Sequence, residues 1–210
     1  MKYITKPMMF ELVGKLRALT PKRPLSYGES IQVARVQAAR IRAWLDSDKP
    51  DVNLIWLRQQ RALPVNFVPS YRLGGESGLT TDQISGRVEI YVNEQEPRQR
   101  QRFTLLHEFK HALDFHDAPT LHARLGSGNA RRQAYQIEMI CNEFAAHVLM
   151  PTPLVKRAWF QTQDIDLCAS LFNVSSEAMS KRLTVMGLIG TPQSTPRTYF
   201  RRTSLVPVAA

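Results

Sequence analysis

The sequence predicts an α+β fold in which a small, mostly antiparallel β-sheet precedes two long helices and a short C-terminal helical pair. Short runs rich in β-branched and aromatic residues, separated by glycine and proline, lie between residues 65 and 92. Apolar residues then recur with the period of a helix over 97–116 and 131–150, and again over 167–186. With 210 residues, of which 43% are hydrophobic and 22% charged, the chain is long enough for one substantial core.

The N-terminal part is predicted to be helical. Residues 1–28 mix apolar and basic residues with proline and glycine, and we expect an N-terminal extension with a short helix over 8–19. Ser26 to Glu29 resembles a helix entry with an acidic residue in the first turn, so a second helix is predicted to begin there. Residues 51–63 are predicted to form a further short helix.

Three β-prone runs are expected to form the sheet, and these are Val65–Phe67, Tyr71–Leu73 and Val88–Val92. The last run alternates apolar and mixed residues, as a strand with one buried face does. We expect this strand to be the sheet edge along which an extended peptide substrate adds a further strand.

Two long helices and a helical pair follow the sheet. Pro97 marks the start of the first helix, because proline is tolerated in a first turn, and this helix is expected to reach about His116. The second helix runs from about Arg131 to Met150, where prolines follow, and a helix-turn-helix-like segment has its turn at 173–175. The expected organisation is an N-terminal extension (1–28), a core (29–155), a C-terminal helical subdomain (156–190) and a tail (191–210).

The first long helix contains the pattern HExxH. His107 and His111 occupy positions i and i+4, which lie on one face of a helix. That spacing allows both rings to bind one tetrahedral Zn²⁺. Glu108 then lies beside the metal, where it can act as the general base that takes a proton from the zinc-bound water. The alternative is a polar helix face with two histidines and no metal.

A catalytic zinc needs a third protein ligand and one open position. Glu138, on the second long helix, is the expected ligand, and Asn142, one turn further on the same face, is expected to hydrogen-bond a ligand histidine. His147 is a candidate contact for the substrate or for a developing oxyanion, with a buried core histidine as the alternative. Asp114 and His116 are poorly placed as ligands, although Asp114 remains a candidate hydrogen-bond acceptor beside the site.

Two segments resemble the signatures of the ImmA/IrrE family of zinc metallopeptidases, which read RFTLAHELGH and ExxANxFAAxLLMP. They are 102–108, with the sequence RFTLLHE, and 142–151, with the sequence NEFAAHVLMP. The segment 167–188 is similar to a third family segment, LAxxFxVSxxAxxxRLxxLGL. The resemblance covers about residues 28–190, and the combination is far more specific than HExxH alone.

The resemblance implies a zincin-like peptidase core of the gluzincin type, with His107, His111 and Glu138 as the zinc ligands. Glu108 is then the catalytic residue. The resemblance also implies a cytoplasmic bacterial or mobile-element protein. Members of the family typically cleave a helix-turn-helix repressor and so release transcription of its operon.

Two positions depart from the family pattern. Lys110 stands where the family usually has Gly, and Cys141 stands where it has Ala. A lysine beside the second histidine is expected to crowd the cleft or to steer an acidic segment of the substrate, and to lower activity more than metal binding.

Charge and cysteine content bear on location and partners. The net charge is +10, and the excess lies at the ends, since 1–49 carries ten Lys/Arg against four Asp/Glu and 191–210 carries three Arg and no acid. Basic ends can dock on nucleic acid or on an acidic partner, and a solvated surface is the alternative. Cys141 and Cys168 are expected to be buried free thiols of a reducing compartment. No apolar stretch has the length of a membrane span or a signal peptide, so a cytoplasmic protein that does not enter the membrane is expected.

The sequence therefore predicts a zinc metalloendopeptidase that cleaves a specific regulatory protein, such as a DNA-binding repressor or an antitoxin-like partner. One alternative is a DNA-binding regulator, which the helix-turn-helix-like segment and the basic ends suggest, although its second helix, 176–186, offers only Lys181 and Arg182 for the groove. Another is a toxin or immunity component in which the zinc fold mainly binds a partner.

Overall fold

The structure is a computed structural model that describes residues 6–45, 48–58, 63–84 and 87–190. In this part of the chain the helices are α1 (Lys6–Ala18), α2 (Tyr27–Trp44), α3 (Ile55–Arg58), α4 (Arg98–Asp114), α5 (Ala118–Leu121), α6 (Ala130–Leu149), α7 (Thr152–Thr162), α8 (Ile165–Phe172) and α9 (Ser176–Val185). The strands are β1 (Val65–Val68), β2 (Gly78–Thr81) and β3 (Glu89–Asn93). The α+β class is confirmed, and the expected tail lies outside the described residues.

The three strands form one sheet in the order β1-β3-β2. β1 pairs with β3 in parallel, with Val65 opposite Ile90, and β2 pairs with β3 antiparallel, with Leu79 opposite Tyr91. The prediction of a mostly antiparallel sheet is therefore wrong for one of the two pairings, and Val88–Val92, expected at the edge, contributes the central strand. Alternation along a strand specifies which face is buried, but it does not specify which strands are neighbours.

The second expected strand, Tyr71–Leu73, is also wrong. Ser70–Leu73 forms a 3₁₀ turn, and the Tyr71 side chain is 82% exposed. Gly74 ends this turn with φ of 60°, a left-handed conformation that glycine adopts without steric cost. The chain reverses at this point, so the edge strand forms a few residues later, as β2.

The long helices agree with their predicted bounds, and two helices, the four-residue α5 and the longer α7, were not predicted. The proline-rich stop after α6 was expected to end helical structure, yet α7 begins at Thr152 with Pro153 in its first turn. A proline there loses no helical hydrogen bond, because first-turn N–H groups have no partner within the helix. Val155, Ala158 and Trp159 are buried at helical spacing and hold α7 on the core.

One apolar core connects all these elements. α4 packs against β2 and β3 on one side and against α6 on another, while α2 packs on α6. Phe109 of α4 and Phe144 of α6 are fully buried with ring centroids 6.1 Å apart, and burial of each stabilises the fold by about 1.5–3 kcal/mol. The same cluster extends from Leu12 to Leu183. The domain boundaries expected from the sequence stay a prediction.

The C-terminal end of α4 is held by a side chain from α1. Arg17 Nε donates to the carbonyl oxygen of Leu113 at 3.1 Å, and its Nη2 donates to that of Ala112 at 3.0 Å. These carbonyls belong to the last turn of α4, where they have no partner within the helix and where a cation is favoured by the helix dipole. Arg17 thus fixes the end of the helix that carries HExxH.

We expect Arg17→Met to lower the free energy of unfolding by about 1–2 kcal/mol, because two carbonyls lose a charged donor. Lys15→Met is the matched control, since Lys15 lies on the same helix and pairs only with exposed Glu11. This control should change stability by less than about 0.5 kcal/mol. Urea denaturation measures both, and equal effects would contradict the role of Arg17.

Candidate metal centre

α4 and α6 meet at a cluster of metal-binding side chains. His107 and His111 lie one turn apart on α4, and their Nε2 atoms are 3.1 Å from each other. Both rings are largely buried, because the neighbouring residues Leu106 and Phe109 anchor α4 in the core. The helix period that predicted this pair therefore also sets the direction of both rings.

α6 supplies the acid that the sequence predicted. Glu138 Oε2 lies 3.2 Å from Nε2 of His107, and Glu138 Oε1 lies 3.5 Å from Nε2 of His111. Ligands bound to one tetrahedral zinc at about 2.0–2.2 Å stand about 3.3 Å apart, so the two nitrogens and this carboxylate fit one ion. Burial alone would raise the pKa of the Glu138 carboxyl, but its hydrogen bonds to both histidines outweigh burial and lower the pKa. Glu138 is accordingly charged at neutral pH.

Asn142 orients one of the rings. Its Oδ1 lies 3.0 Å from Nδ1 of His107, one helical turn beyond Glu138. An amide oxygen only accepts, so Nδ1–H donates and Nε2 keeps its lone pair directed at the cluster. This is the contact that the sequence analysis expected from Asn142.

Glu108 lies under the edge of the sheet. It is 1% exposed, and the Thr80 hydroxyl lies 2.8 Å from its Oε2 and 2.9 Å from its backbone oxygen. The other carboxylate oxygen, Oε1, is buried and has no hydrogen-bond partner among the described residues. A buried acceptor with no partner is costly, so this oxygen is suited to a ligand or a water at the cluster.

Gly78 explains how β2 approaches Glu108 so closely. A Cβ at this position would lie 2.5 Å from Thr104 Cγ2, 2.8 Å from Glu108 Cγ and 3.0 Å from Glu108 Oε1. Only glycine leaves room for the strand. Neither Gly78 nor Thr80 was found from the sequence, because the short run GLTT carries no signal that it contacts a helix 28 residues away.

A further donor at this centre was also missed. The Sγ atom of Cys141 and one ring nitrogen each of His107 and His111 all lie within 4.8 Å of one another. Cys141 is a free thiol and is 2% exposed, and burial raises its pKa. The sequence analysis predicted the burial of this cysteine but assigned it no contact.

His147 is not brought to this cluster. Its Nδ1 lies 3.0 Å from the backbone oxygen of Glu143 and 3.4 Å from Glu143 Oε1, and Glu143 itself pairs with Arg35 of α2. Nine residues separate His147 from Glu138, which at 100° per residue is about half a turn around α6. Its expected contact with substrate therefore receives no support from its position.

Lys110 and Asp114, the other polar residues considered near HExxH, form a buried group with His122. Lys110 Nζ donates to Asp114 Oδ1 at 2.7 Å, and Nε2 of His122 lies 3.7 Å from Asp114 Oδ2. Lys110 is 2% exposed, so the expectation that it crowds the cleft or steers a substrate is wrong: its amine is held inside the protein. His116 is exposed.

Comparisons with known proteins found one matching family model and two matching relatives. The family model described as IrrE N-terminal-like domain matches residues 70–184. This chain is also similar to two relatives over 66 residues, which are 31% of its length. In that stretch it is 41% identical to the radiation response metalloprotease IrrE of Deinococcus deserti and 38% identical to that of Deinococcus radiodurans. These matches span only 24% and 20% of the two relatives.

A solved structure supports the fold. It is described as a Mycobacterium tuberculosis transcriptional regulator, and it is similar with a TM-score of 0.58 over 82% of this chain and 51% of that chain. At 15% identity this similarity concerns the fold alone. Among the described residues, no helix combines the length and the apolar character needed to cross a membrane.

We expect Gly78→Ala to lower the free energy of unfolding by about 1–3 kcal/mol, because the new methyl group overlaps Thr104 and Glu108. Gly14→Ala is the matched control, since its added Cβ meets nothing within 4 Å and it lies within a helix. That control should raise stability by about 0.5–1 kcal/mol. If thermal and urea unfolding show Gly78→Ala to be neutral, β2 does not lie against Glu108.

Proposed function

The chain belongs to the family of IrrE N-terminal-like peptidases, and on this premise we propose that it is a zinc-dependent metalloendopeptidase. His107, His111 and Glu138 hold the zinc in this proposal, and Glu108 is the general base. The observation that carries it is the approach of the Glu138 carboxylate to both histidine Nε2 atoms, at 3.2 and 3.5 Å.

The proposed mechanism assigns a role to each side chain of the centre. Zinc, when bound, acts as a Lewis acid that lowers the pKa of its water towards about 7. Glu108 accepts the proton of the attacking water and passes it to the leaving amine. Thr80 holds Oε2 of Glu108, which leaves Oε1 as the atom that carries the proton. Asn142 keeps the His107 ring in the tautomer that a ligand needs.

The substrate is proposed to bind as an added strand along β2. β2 is an edge strand, whereas β3 has a neighbour on each side and offers no free edge. Thr80 of β2 contacts Glu108, so a peptide paired with this edge passes next to the base. β1, the other edge, lies across β3 from that contact.

The proposed substrate is a regulatory protein, such as a helix-turn-helix repressor or an antitoxin-like partner, cleaved in the cytoplasm. The family membership supports this choice, and so does the similarity to relatives described as radiation response metalloproteases. The match spans about a quarter or less of those relatives. An origin on a mobile genetic element belongs to the same proposal.

The position of Arg182 weighs against a DNA-binding function. α8 and α9 pack against each other, yet Arg182 is 5% exposed and donates to the Met150 carbonyl oxygen at 3.1 Å and to Thr152 Oγ1 at 3.0 Å. Of the two basic residues on α9, Lys181 alone is exposed, which is little for contacts with phosphates. The pair packs on the peptidase core through the main apolar cluster.

We expect purified protein to contain about one zinc per chain, and His111→Ala to lose it, because His111 supplies one of the two imidazole ligands of the ion. His116→Ala is the matched control, since His116 lies near the same helix but is exposed. Metal analysis by mass spectrometry measures both. Equal zinc contents in the two variants would remove His111 from the ligand set.

We expect Glu108→Gln to keep its zinc but to slow cleavage at least about 100-fold, because the amide cannot accept the proton. Glu143→Gln serves as the control, since Glu143 pairs with Arg35 outside the centre. The assay is co-expression with the product of the adjacent gene, followed by detection of its fragments. Should Glu108→Gln retain the full biological effect, the chain acts by binding its partner and not by proteolysis.

A further inference from the structure

We propose that Cys141 is a fourth protein donor of the metal centre, whose thiolate binds the same divalent ion as the two histidines and Glu138. The inference rests on the proposed zinc site and deepens it, because it states what fills the remaining ligand position when substrate is absent. The chemical class of the ligand is a thiophilic divalent metal ion, such as Zn²⁺, Co²⁺ or Cd²⁺.

The position of Cys141 on α6 is the first observation. It follows Glu138 by three residues, and residues at this spacing lie on the same side of a helix. Its Sγ and one ring nitrogen each of His107 and His111 lie within 4.8 Å of one another. Glu138 does not belong to this group of three, but its carboxylate approaches the same two histidines from the same helix.

The contacts of the two cysteines differ in a way that supports this assignment. Cys168, the other buried thiol, lies 3.1 Å from Thr162 Oγ1 and has an ordinary hydrogen-bond partner on a neighbouring helix. Cys141 instead has His111, one of the proposed ligands, as its hydrogen-bond partner and also interacts with the charge of that ring. A small apolar residue would satisfy packing at this site, whereas a thiol places a soft donor beside two imidazoles.

Glu108 provides an independent observation that the centre lacks a ligand. Its Oε1 atom is buried without a hydrogen-bond partner among the described residues, and the same carboxylate lies close enough to His111 to interact with its charge. Buried acceptors of this kind are rare in folded proteins unless an ion or a water occupies the site. The thiol therefore lies beside the two imidazoles that the Glu138 carboxylate approaches, an arrangement that suits a cation.

Coordination by Cys141 has a defined chemical balance and a functional consequence. The thiol loses its proton to solvent as the metal–sulfur bond forms, and no electrons are transferred. A catalytic zinc has three protein ligands and one open position, whereas four protein donors give the closed coordination of structural sites. With Cys141 bound, no position would be left for the attacking water, so hydrolysis would require water to displace the Cys141 thiolate, which would take up a proton from solvent. This predicts slow turnover of generic peptides.

The test uses Co²⁺ in place of zinc, because a thiolate bound to Co²⁺ gives a charge-transfer absorption in the near ultraviolet, in addition to the visible bands of the ion. The metal-free full chain is titrated with Co²⁺. We expect both absorptions in the unchanged protein, visible bands alone in Cys141→Ala, and both absorptions in the matched control Cys168→Ala. Cys141→Ala should also weaken Co²⁺ binding by about tenfold or more.

The outcomes separate this inference from the proposed function. Visible bands without the charge-transfer absorption in the unchanged protein would overturn the role of Cys141 and leave the zinc site standing. Failure of the unchanged protein to bind Co²⁺ at all would overturn both. Zinc X-ray absorption of the unchanged protein needs no variant, so it decides the question if Cys141→Ala does not fold. One sulfur neighbour is expected there, and none would refute the inference.

Discussion

The contact between α4 and α6 through the His107–Glu138 pair is the constraint on which the rest of the structure depends. Polar groups buried between two apolar helices are costly unless each finds a partner. Here the rings and the carboxylate lie 3.1–3.5 Å from one another, at the spacing of ligands of one ion, and Asn142 accepts from the far side of His107. The surrounding elements hold this geometry, since α1 fixes the end of α4 through Arg17 and β2 covers Glu108.

The parts of this arrangement that the sequence predicts are those within one helix. The helix period predicts that the two histidines of HExxH share one face of α4 and that Glu138 and Asn142 share one face of α6. Both pairs lie on helices in the structure. The sheet was predicted less well, because alternation does not determine strand order and the turn before β2 depends on Gly74. Thr80 escaped prediction because its contact with Glu108 crosses 28 residues of sequence.

Lys110 shows how a residue can be misjudged from its place in a motif. Beside the second histidine it looked like part of the cleft, yet on a helix the next residue points about 100° away. Its amine pairs with Asp114 at 2.7 Å on the side of α4 that faces His122. A buried pair of this kind adds little net stability, although removing one partner would strand a charge. The metal face of α4 is therefore not altered by this lysine directly.

The two departures from the family pattern nevertheless meet at one residue. Asp114 accepts from Lys110, and its charge also opposes ionisation of the Cys141 thiol. Burial raises the pKa of the Cys141 thiol most, and the charge of Asp114 adds to that effect. Because Lys110 pairs with Asp114, the departures at positions 110 and 141 lie on either side of the same carboxylate. In the proposed metal centre Cys141 would act as the donor, whereas Lys110 holds Asp114.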